Sequence, residues 1–550
     1  MKTPSNLLAE QEPAAPFTRR GLTLLASLAG MVTALIVFAS AQILSLMLGG
    51  VGEPLLAVGS LLIDLVPREI KTLVIELFST GDKVFLFVTL TIALLALSVI
   101  VGVLQLRKPP LGVLVLSGIG GVALVAAVTR AGATPGNAVP ITGGIVVGIF
   151  FLRALIGRLK AWRDAREPAT PERPGSRLGS GGMRSRNAGQ PPASVERRRF
   201  LVLALAAGLS AAAVGTGARM MSAASNAVTA VRKTIRLPSA EVAAPELAAT
   251  STLDVAGISP FVTPTAGFYR IDTALQVPAV DPTTWKLRIT GLVEEELEIG
   301  FDELLALPLE EHYVTLACVS NEVGGNLIGN ALWRGYPIRQ LLARARPKAG
   351  ADMVLSRSID GFTASTPLSI LTDVDTAALL AVGMNGALLP LDHGFPVRMV
   401  VPGLFGYVSA TKWVVELKVT TFAADMGYWT SRGWSAKGPV KLSSRIDTPF
   451  DGSNHKEGTL AIAGVAWAQH TGISRVEVRV DDGAWQEATL ASPVTPDAWL
   501  QWSYEWPASS GTHRILVRAT DTTGRVQTAV EAPVAPDGST GLHGISIRVQ

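Results

Sequence analysis

The sequence predicts a multi-domain chain with an N-terminal α-helical transmembrane region, a central α+β domain and a C-terminal immunoglobulin-like β-sandwich. Of the 550 residues, 48% are hydrophobic, and the longest apolar runs lie in the first third of the chain. The central part mixes short helical patterns with alternating strands. After about Ser444, short alternating strands recur at regular spacing, which is typical of a β-sandwich. We place the boundaries at 1–157 for the multi-span membrane region, 158–199 for a cytoplasmic basic linker, 200–218 for an export signal or fifth transmembrane helix, 219–252 for a second linker, 253–425 for the α+β domain and 426–550 for the C-terminal domain.

Four apolar runs are long enough to cross a bilayer, which takes about 20 residues in a helix. Basic residues flank them, as expected at membrane surfaces. Between the first two runs, residues 52–79 contain apolar stretches broken by charges, and we expect this segment to be interfacial or re-entrant. The four runs are Gly21–Leu48, Val84–Leu106, Leu111–Thr129 and Val139–Gly157.

The orientation follows from the distribution of basic residues. Residues 158–199 are rich in Arg, Pro, Gly and Ser, which is typical of a disordered linker, and the positive-inside rule places them in the cytoplasm. The run Arg197-Arg198-Arg199-Phe200-Leu201 precedes a moderately apolar stretch and resembles a twin-arginine export signal. The alternative is a fifth transmembrane helix with ordinary positive flanks. Both interpretations place the globular part outside the cytoplasmic membrane, tethered to it.

Cys318 is the only cysteine of the chain, so no internal disulfide can form. It is an inert buried residue, a reactive thiol or a metal ligand. The β-branched run Val314-Thr315-Leu316-Ala317 predicts a strand that ends at this cysteine and opens into a loop rich in glycine and asparagine. Such a loop lets a ligand approach the backbone closely. Cys318 therefore lies at the predicted mouth of a site.

A second stretch provides polar residues that could complete a site with Cys318. It runs N-G-A-L-L-P-L-D-H-G-F-P-V-R from Asn385 to Arg398 and continues through V-P-G to Lys412-Trp413. Taken alone, His393 is more often a hydrogen-bonded loop residue and Arg398 a solvated charge. A soft thiolate suits a metal whose other ligands come from a cofactor, and arginine offers a planar fork to a phosphate.

These motifs, in this order, resemble the sulfite oxidase family of molybdopterin enzymes over about residues 253–550. The resemblance implies a molybdenum-molybdopterin cofactor, with the Cys318 thiolate on the metal beside the two dithiolene sulfurs of the pterin. It also implies an oxygen-atom transfer reaction, with Cys318 and Arg270 as catalytic residues. The cofactor contacts it implies are Tyr269, Arg270, Cys318, Asn321, His393, Arg398 and Lys412.

One departure from the family concerns the substrate. The segment Phe268-Tyr269-Arg270 matches the family's F-x-R, whose arginine is close to the metal and the anionic substrate. Sulfite oxidases follow it with Asn-His, whereas this chain has Ile271-Asp272. A carboxylate at that position opposes an incoming dianion, so sulfite is questionable as the substrate, and a small oxyanion or a sulfoxide-type compound is expected. The alternative for Arg270 is a structural salt bridge.

Several function classes are excluded or disfavoured. Basic and aromatic residues are not interleaved, which argues against nucleic-acid binding at a net charge of +4. The first histidine is His312, so the membrane region cannot provide a bis-histidine haem. Electrons must then pass to or from a separate redox partner, such as a cytochrome or a quinone-linked protein. The C-terminal domain of the family is often a dimerisation module, which implies a homodimer. The rival interpretation is a membrane-anchored binding or sensory protein without redox turnover.

Overall fold

The computed structural model describes residues 18–48, 58–59, 61, 66, 82–129, 135–164, 197–205, 226–274 and 276–550. The chain divides into two compact units, Met1–Ala223 and Ala224–Gln550. Each unit is described by itself below. The predicted re-entrant segment 52–79 and most of the predicted basic linker lie outside the described residues.

Four long helices make up most of the described part of the first unit. Each is long and apolar enough to cross a membrane, in agreement with the four predicted runs. Close packing of α1 against α2 depends on glycine, because a Cβ on Gly30 would lie 2.0 Å from the carbonyl oxygen of Ser98. The helices are α1 (Arg19–Met47), α2 (Asp82–Arg107), α3 (Leu111–Val128) and α4 (Ala138–Asp164).

Helix α4 extends beyond its predicted end at Gly157. The last two turns stay helical because Leu159 and Trp162 continue its buried apolar face. The predicted start of the linker at residue 158 is therefore wrong. A further helix, α5 (197–205), begins with the run Arg197-Arg198-Arg199. Its Phe200 is fully buried, and the ring centroid of Phe200 lies 6.1 Å from that of Trp162. The rest of the 200–218 segment lies outside the described residues.

The second unit begins with a segment that was predicted as a free linker. Residues 226–234 form helix α6, and the chain then runs extended across the α+β domain. The Glu241 N–H donates to the Leu309 carbonyl at 2.7 Å, and Arg334 donates to the Pro238 carbonyl at 2.5 Å. The linker prediction is wrong here, because helix α6 is ordered and the backbone groups near Glu241 pair with the domain.

The α+β domain contains two sheets around one apolar core. One has the strand order β2-β1-β10-β5-β6, and the other has the order β3-β4-β7-β8 with β9 beside β7. The strands are β1 (Lys286–Gly291), β2 (Leu297–Gly300), β3 (Glu310–Ala317), β4 (Ile328–Pro337), β5 (Met353–Ser358), β6 (Thr363–Pro367), β7 (Leu379–Met384), β8 (Ala387–Leu388), β9 (Arg398–Val400) and β10 (Val414–Thr420). Short helices connect them: α7 (Phe301–Leu305), α8 (Ile338–Ala345), α9 (Leu368–Thr372) and α10 (Gly406–Ser409).

The C-terminal region is all β, as predicted. Two sheets, with orders β11-β13-β17-β16 and β12-β19-β18-β14-β15, share a core that includes Trp502 and Val517. Residues 526–530 alternate like a strand but form none: Val526 makes only an isolated bridge with Thr520, and Val530 is 72% exposed, so the stretch has no buried apolar face. The strands are β11 (Ser443–Thr448), β12 (Asn454–His455), β13 (Gly458–Trp467), β14 (Ile473–Val480), β15 (Gln486–Glu487), β16 (Thr489–Leu490), β17 (Leu500–Ala508), β18 (Gly511–Asp521) and β19 (Gly544–Val549).

The two domains of this unit share part of their core. Trp467 and Trp499 from the C-terminal region belong to the main apolar cluster of the α+β domain. The Thr315 N–H on β3 donates to the Asp497 carbonyl at 3.0 Å, and the Trp499 N–H donates to the Thr315 hydroxyl at 2.8 Å. The C-terminal region therefore supports the strand that leads to Cys318.

Candidate active site

A cavity of about 150 Å³ lies in the α+β domain at the end of β3. Four of the seven residues predicted for the site line it: Tyr269, Cys318, Arg398 and Lys412. The other lining residues are mostly aromatic or apolar: Phe268, Ile271, Val319, Phe362, Tyr407, Trp413, Trp429 and Trp434, together with polar or small residues. The cavity thus has a polar part and an aromatic part.

Cys318 follows β3 directly and is a free, buried thiol. Its N–H donates to the Leu327 carbonyl at 2.9 Å, and its sulfur accepts the Ser320 N–H at 3.4 Å. Burial raises the pKa of the thiol, and the hydrogen bond from Ser320 lowers it in part. The strand and loop thus fix the position of the sulfur on the cavity wall.

Asn321 supports this loop and does not line the cavity. Its side-chain oxygen accepts the Leu327 N–H at 2.7 Å, which closes the turn that Cys318 begins. The backbone oxygen of Asn321 accepts the Ser539 hydroxyl of the C-terminal region at 2.8 Å. Arg445 donates to the Gly325 carbonyl at 2.7 Å. Both domains therefore hold the cysteine loop, residues 318–327.

Arg398, at the start of β9, is a buried cation. It is 4% exposed, and no carboxylate of the described residues lies within ion-pair distance of it. Its guanidinium makes two long hydrogen bonds of 3.3 Å, to the carbonyls of Met399 and His393, and lies 5.0 Å from the Trp333 ring centroid. Burial lowers its pKa to about 10. An uncompensated buried charge is costly, so an anion in the cavity would stabilise it.

Lys412 has partners of its own. Its ammonium donates to the Asp272 carboxylate at 3.1 Å and to the Asp392 carbonyl at 2.9 Å. Burial lowers its pKa to about 8, and Asp272 opposes that shift. Gly394 allows this arrangement, because its φ is 111° and a Cβ there would lie 2.9 Å from the Cβ of Arg398.

His393 lies behind the lining and contacts it through Phe268, with ring centroids 5.7 Å apart. Its Nε2 is 3.3 Å from the Thr265 carbonyl oxygen, whereas its Nδ1 is buried without a hydrogen-bond partner. Burial and the nearby cations Arg398 and Lys412 lower its pKa to about 4, so the imidazole is neutral near pH 7. A buried unpaired ring nitrogen is rare and marks a place where a ligand group would bind.

Of the two residues in the F-x-R segment, Tyr269 lines the cavity and Arg270 does not. Tyr269 stacks on Phe268 with centroids 5.2 Å apart, and its pKa lies above its usual range because it is buried beside Cys318. Arg270 does not line the cavity; its Nε lies 3.1 Å from Asp272, and its side chain is 38% exposed.

Asp272 acts differently from the sequence expectation. Its side chain is 5% exposed and pairs with Arg270 and Lys412. It therefore does not repel an anion as a free carboxylate would, but it occupies two cations that would otherwise attract one. Sequence reasoning missed this pairing because Asp272 and Lys412 are 140 residues apart.

The sequence also gave no signal for the rest of the wall. Asp360, Phe362 and Tyr407 lie in segments without a recognisable motif, and only the fold brings them to the cavity. Trp429 and Trp434 lie in the aromatic segment 428–434, and both line the cavity. Trp434 is partly buried against the core and also lines the cavity.

The residues present fit a molybdenum-pterin group. A thiol on the cavity wall offers one soft metal ligand, and the described residues contain no group of three or more His, Cys, Asp or Glu side chains that could hold a metal by themselves. The unpaired Arg398 and the unpaired Nδ1 of His393 match the anionic and hydrogen-bonding groups of such a cofactor.

Comparisons with known proteins agree with this chemistry. The family model described as "Oxidoreductase molybdopterin binding domain" matches residues 274–429. Mitochondrial sulfite oxidase of Rattus norvegicus is 30% identical over 322 residues, which cover 50% of this chain and 58% of the rat protein. Nitrate reductase [NADH] of Solanum lycopersicum is 26% identical over 330 residues, which cover 48% of this chain and 36% of that protein.

The solved structure of the sulfane dehydrogenase SoxCD from Paracoccus pantotrophus is also similar. It is 26% identical, with a TM-score of 0.46, and the match covers 52% of this chain and 81% of that chain. The thiol, the buried cations and the matched segment all lie in one domain. This chain contains a molybdopterin-binding oxidoreductase domain and is similar to the sulfite oxidases, and its match spans 58% of the length of the rat enzyme.

Proposed function

We propose that this protein is a membrane-anchored oxidoreductase that uses molybdenum-molybdopterin to transfer an oxygen atom to or from a small substrate outside the cytoplasmic membrane. The observation that carries the proposal is the buried, unpaired Arg398 beside Cys318 on one cavity. A permanently bound anionic cofactor would compensate this buried charge at all times. The sulfite oxidase and the nitrate reductase named above are named for sulfite and nitrate, and these names support a small oxygen-bearing substrate.

The bound cofactor would supply the two-electron redox change. Cys318 would hold its metal through the thiolate, and the loop bonds to Leu327 and Ser320 would keep the sulfur in place. Arg398 would pair with an anionic group of the pterin, and the neutral His393 would contribute its Nδ1 as a hydrogen-bonding group. The buried side of the cavity thus binds the cofactor and excludes water from it.

The membrane assignments belong to the same proposal. The four apolar helices are long enough to span a bilayer, and the basic residues between 158 and 199 favour the cytoplasmic side for that segment. The Arg197-Arg198-Arg199 run then supports export of the second unit, as a twin-arginine signal or as a fifth span. The all-β C-terminal region would be an immunoglobulin-like dimerisation module. A separate cytochrome or quinone-linked protein would exchange electrons with the site.

Purification of the full chain in detergent, from a host that makes molybdopterin, tests the proposal. We expect about one molybdenum and one pterin per chain and activity with an artificial electron carrier. The matched control is Arg339→Gln, which removes an arginine that pairs with Glu310 and does not line the cavity. A chain that carries neither metal nor pterin under these conditions contradicts the proposal.

A further inference from the structure

The solvent side of the cavity differs in character from its buried side. Cys318, Arg398, Lys412 and Trp413 are buried, whereas Ile271 is 50% exposed. Phe362, Trp429 and Trp434 are half-buried on the same wall. A permanently bound cofactor uses the buried polar groups, so a substrate that enters from solvent meets the half-buried wall first. This outer wall consists of Ile271, Asp360, Phe362, Trp429 and Trp434.

The aromatic rings of the outer wall are packed against one another. Ring centroids of Trp429 and Trp434 are 6.3 Å apart, and those of Tyr407 and Trp434 are 5.8 Å apart. The ring centroids of Phe362 and Tyr428 are 6.0 Å apart. Rings fixed in this way present a rigid apolar surface, which favours an apolar substituent on the substrate.

The charges of the lining do not favour an anion. The lining contains two carboxylates, Asp272 and Asp360, and two cations, Arg398 and Lys412, so its formal charge is zero. Lys412 is already paired with Asp272, and Arg398 lies on the cofactor side. Asp360 has no cation within ion-pair distance among the described residues; its oxygens accept the Thr273 hydroxyl at 3.3 Å and the Phe362 N–H at 3.2 Å. An anion on the outer wall would meet this carboxylate without a free cation to balance it.

We propose that the site takes an uncharged sulfoxide with an apolar substituent, or the corresponding thioether, in preference to the sulfite anion. This inference rests on the proposed function, because it assigns the substrate of that same reaction. In the reductive direction, the sulfur–oxygen bond breaks, sulfur gains two electrons, and the oxygen leaves as water with two protons. The electrons come from a reduced one-electron carrier, for which a reduced viologen dye substitutes in the assay. The oxidative direction reverses each of these changes.

Three probes separate charge from apolar contact. Methyl phenyl sulfoxide is uncharged and has an aromatic arm, dimethyl sulfoxide is uncharged and small, and sulfite is charged. Sulfite gains an oxygen atom, so its counterpart is methyl phenyl thioether, and both are assayed with the same oxidised acceptor. We expect kcat/KM to be at least about tenfold higher for the thioether than for sulfite. With the reduced dye, kcat/KM should be higher for methyl phenyl sulfoxide than for dimethyl sulfoxide. The thioether is assayed with an oxidised acceptor in the same preparations. Higher kcat/KM for sulfite than for the thioether with the same acceptor overturns the inference.

Two substitutions test the residues that carry the inference. Trp429→Phe should raise KM for methyl phenyl sulfoxide by about three- to tenfold, and dimethyl sulfoxide should be affected less because it has no arm to stack. Asp360→Asn removes the unbalanced charge and should raise kcat/KM for sulfite by about three- to tenfold. Asp482→Asn removes an exposed carboxylate from a turn outside the lining and should leave all ratios unchanged. If neither wall variant shifts the ratio between the probes, the outer wall does not select the substrate.

A binding measurement supplies a readout besides turnover. Methyl phenyl sulfoxide should quench tryptophan fluorescence in a saturable manner, and Trp429→Phe should reduce that change. Absence of saturable quenching in the wild type contradicts the inference. Molybdenum and pterin content distinguish the two possible failures: a loaded enzyme that prefers sulfite refutes only the substrate class, whereas a chain without cofactor refutes the proposed function.

Discussion

Replacement of Arg398 tests the cofactor side of the cavity. Arg398 is 4% exposed, has no carboxylate partner among the described residues, and makes only 3.3 Å hydrogen bonds to two carbonyls. Its charge is therefore poorly compensated until an anionic group binds. Arg398→Met keeps the apolar stem beside Trp333 and removes the charge, so that the loss reports electrostatics and not an empty space.

The expected loss follows from the energetics of buried charge pairs. Removal of one partner of such a pair costs about 2 to 5 kcal/mol, which corresponds to a weakening of roughly 30-fold to several thousand-fold. The variant without cofactor should not be less stable than the wild type without cofactor, because its buried uncompensated charge has gone. Weaker cofactor binding without a loss of stability in the cofactor-free protein distinguishes a ligand-binding arginine from a structural one.

The assay measures pterin per chain by the fluorescence of its oxidised form, together with urea unfolding of preparations without cofactor. We expect Arg398→Met to purify largely without pterin and Arg398→Lys, which keeps the charge but loses the planar fork, to retain an intermediate amount. A full complement of pterin in Arg398→Met would refute the reasoning, since Arg398 would then contribute nothing to cofactor binding.

The remaining predictions concern topology, the cysteine loop and pH dependence. Reporter fusions within residues 158–199 and after Ala227 should report opposite sides of the membrane, and the same side from both refutes the orientation. Arg445→Met should destabilise the second unit by about 3 to 5 kcal/mol in urea unfolding, because Asp447, 2.7 Å away, is left buried without its cation. The double variant with Asp447→Asn should recover much of that loss, and no recovery contradicts the account. A hydrogen bond and charge attraction from Asp497 raise the pKa of His470, and desolvation opposes this shift. The stability that the pair contributes is therefore present below the ordinary pKa of 6.5 and is lost as pH rises through the raised pKa. His470→Gln should therefore flatten the fall in stability on the alkaline side, and an unchanged slope refutes this assignment.

Much of the fold could be predicted because its patterns are long or periodic. The four apolar helices agree with the predicted runs, and β3 ends at Ala317, directly before Cys318, as the β-branched run predicts. The all-β C-terminal region also begins close to the predicted position, with β11 starting at Ser443. Such elements bury a continuous face, and that face is visible as a repeat in the sequence.

Other parts could not be predicted because their stability depends on contacts distant in sequence. Residues 226–252 are held by partners distant in sequence: the Glu241 N–H donates to the Leu309 carbonyl, Arg232 donates to the Leu389 carbonyl at 2.7 Å, and Val228 is buried in the domain core. Val526 and Val530 alternate like a strand, but no partner strand covers them.

The candidate site could be predicted in part, because some of its residues lie in motifs and others depend on contacts distant in sequence. Motif order identified Cys318, Arg398 and Lys412, which the fold brings to one cavity, whereas the pairing of Lys412 with Asp272 requires the tertiary structure. The family motif also pointed to Arg270, yet its side chain lies beside the cavity lining. Sequence patterns thus identified the residue types, and the structure assigned their partners.

The central claim is that the Cys318 thiolate binds the metal of a molybdenum-pterin cofactor. X-ray absorption at the molybdenum edge, on purified wild type and Cys318→Ser of matched pterin content, tests it most directly. The account predicts one fewer sulfur neighbour of molybdenum in the variant, loss of turnover and an unchanged fold by circular dichroism. An identical number of sulfur neighbours in both proteins, with full turnover in the variant, would contradict the claim.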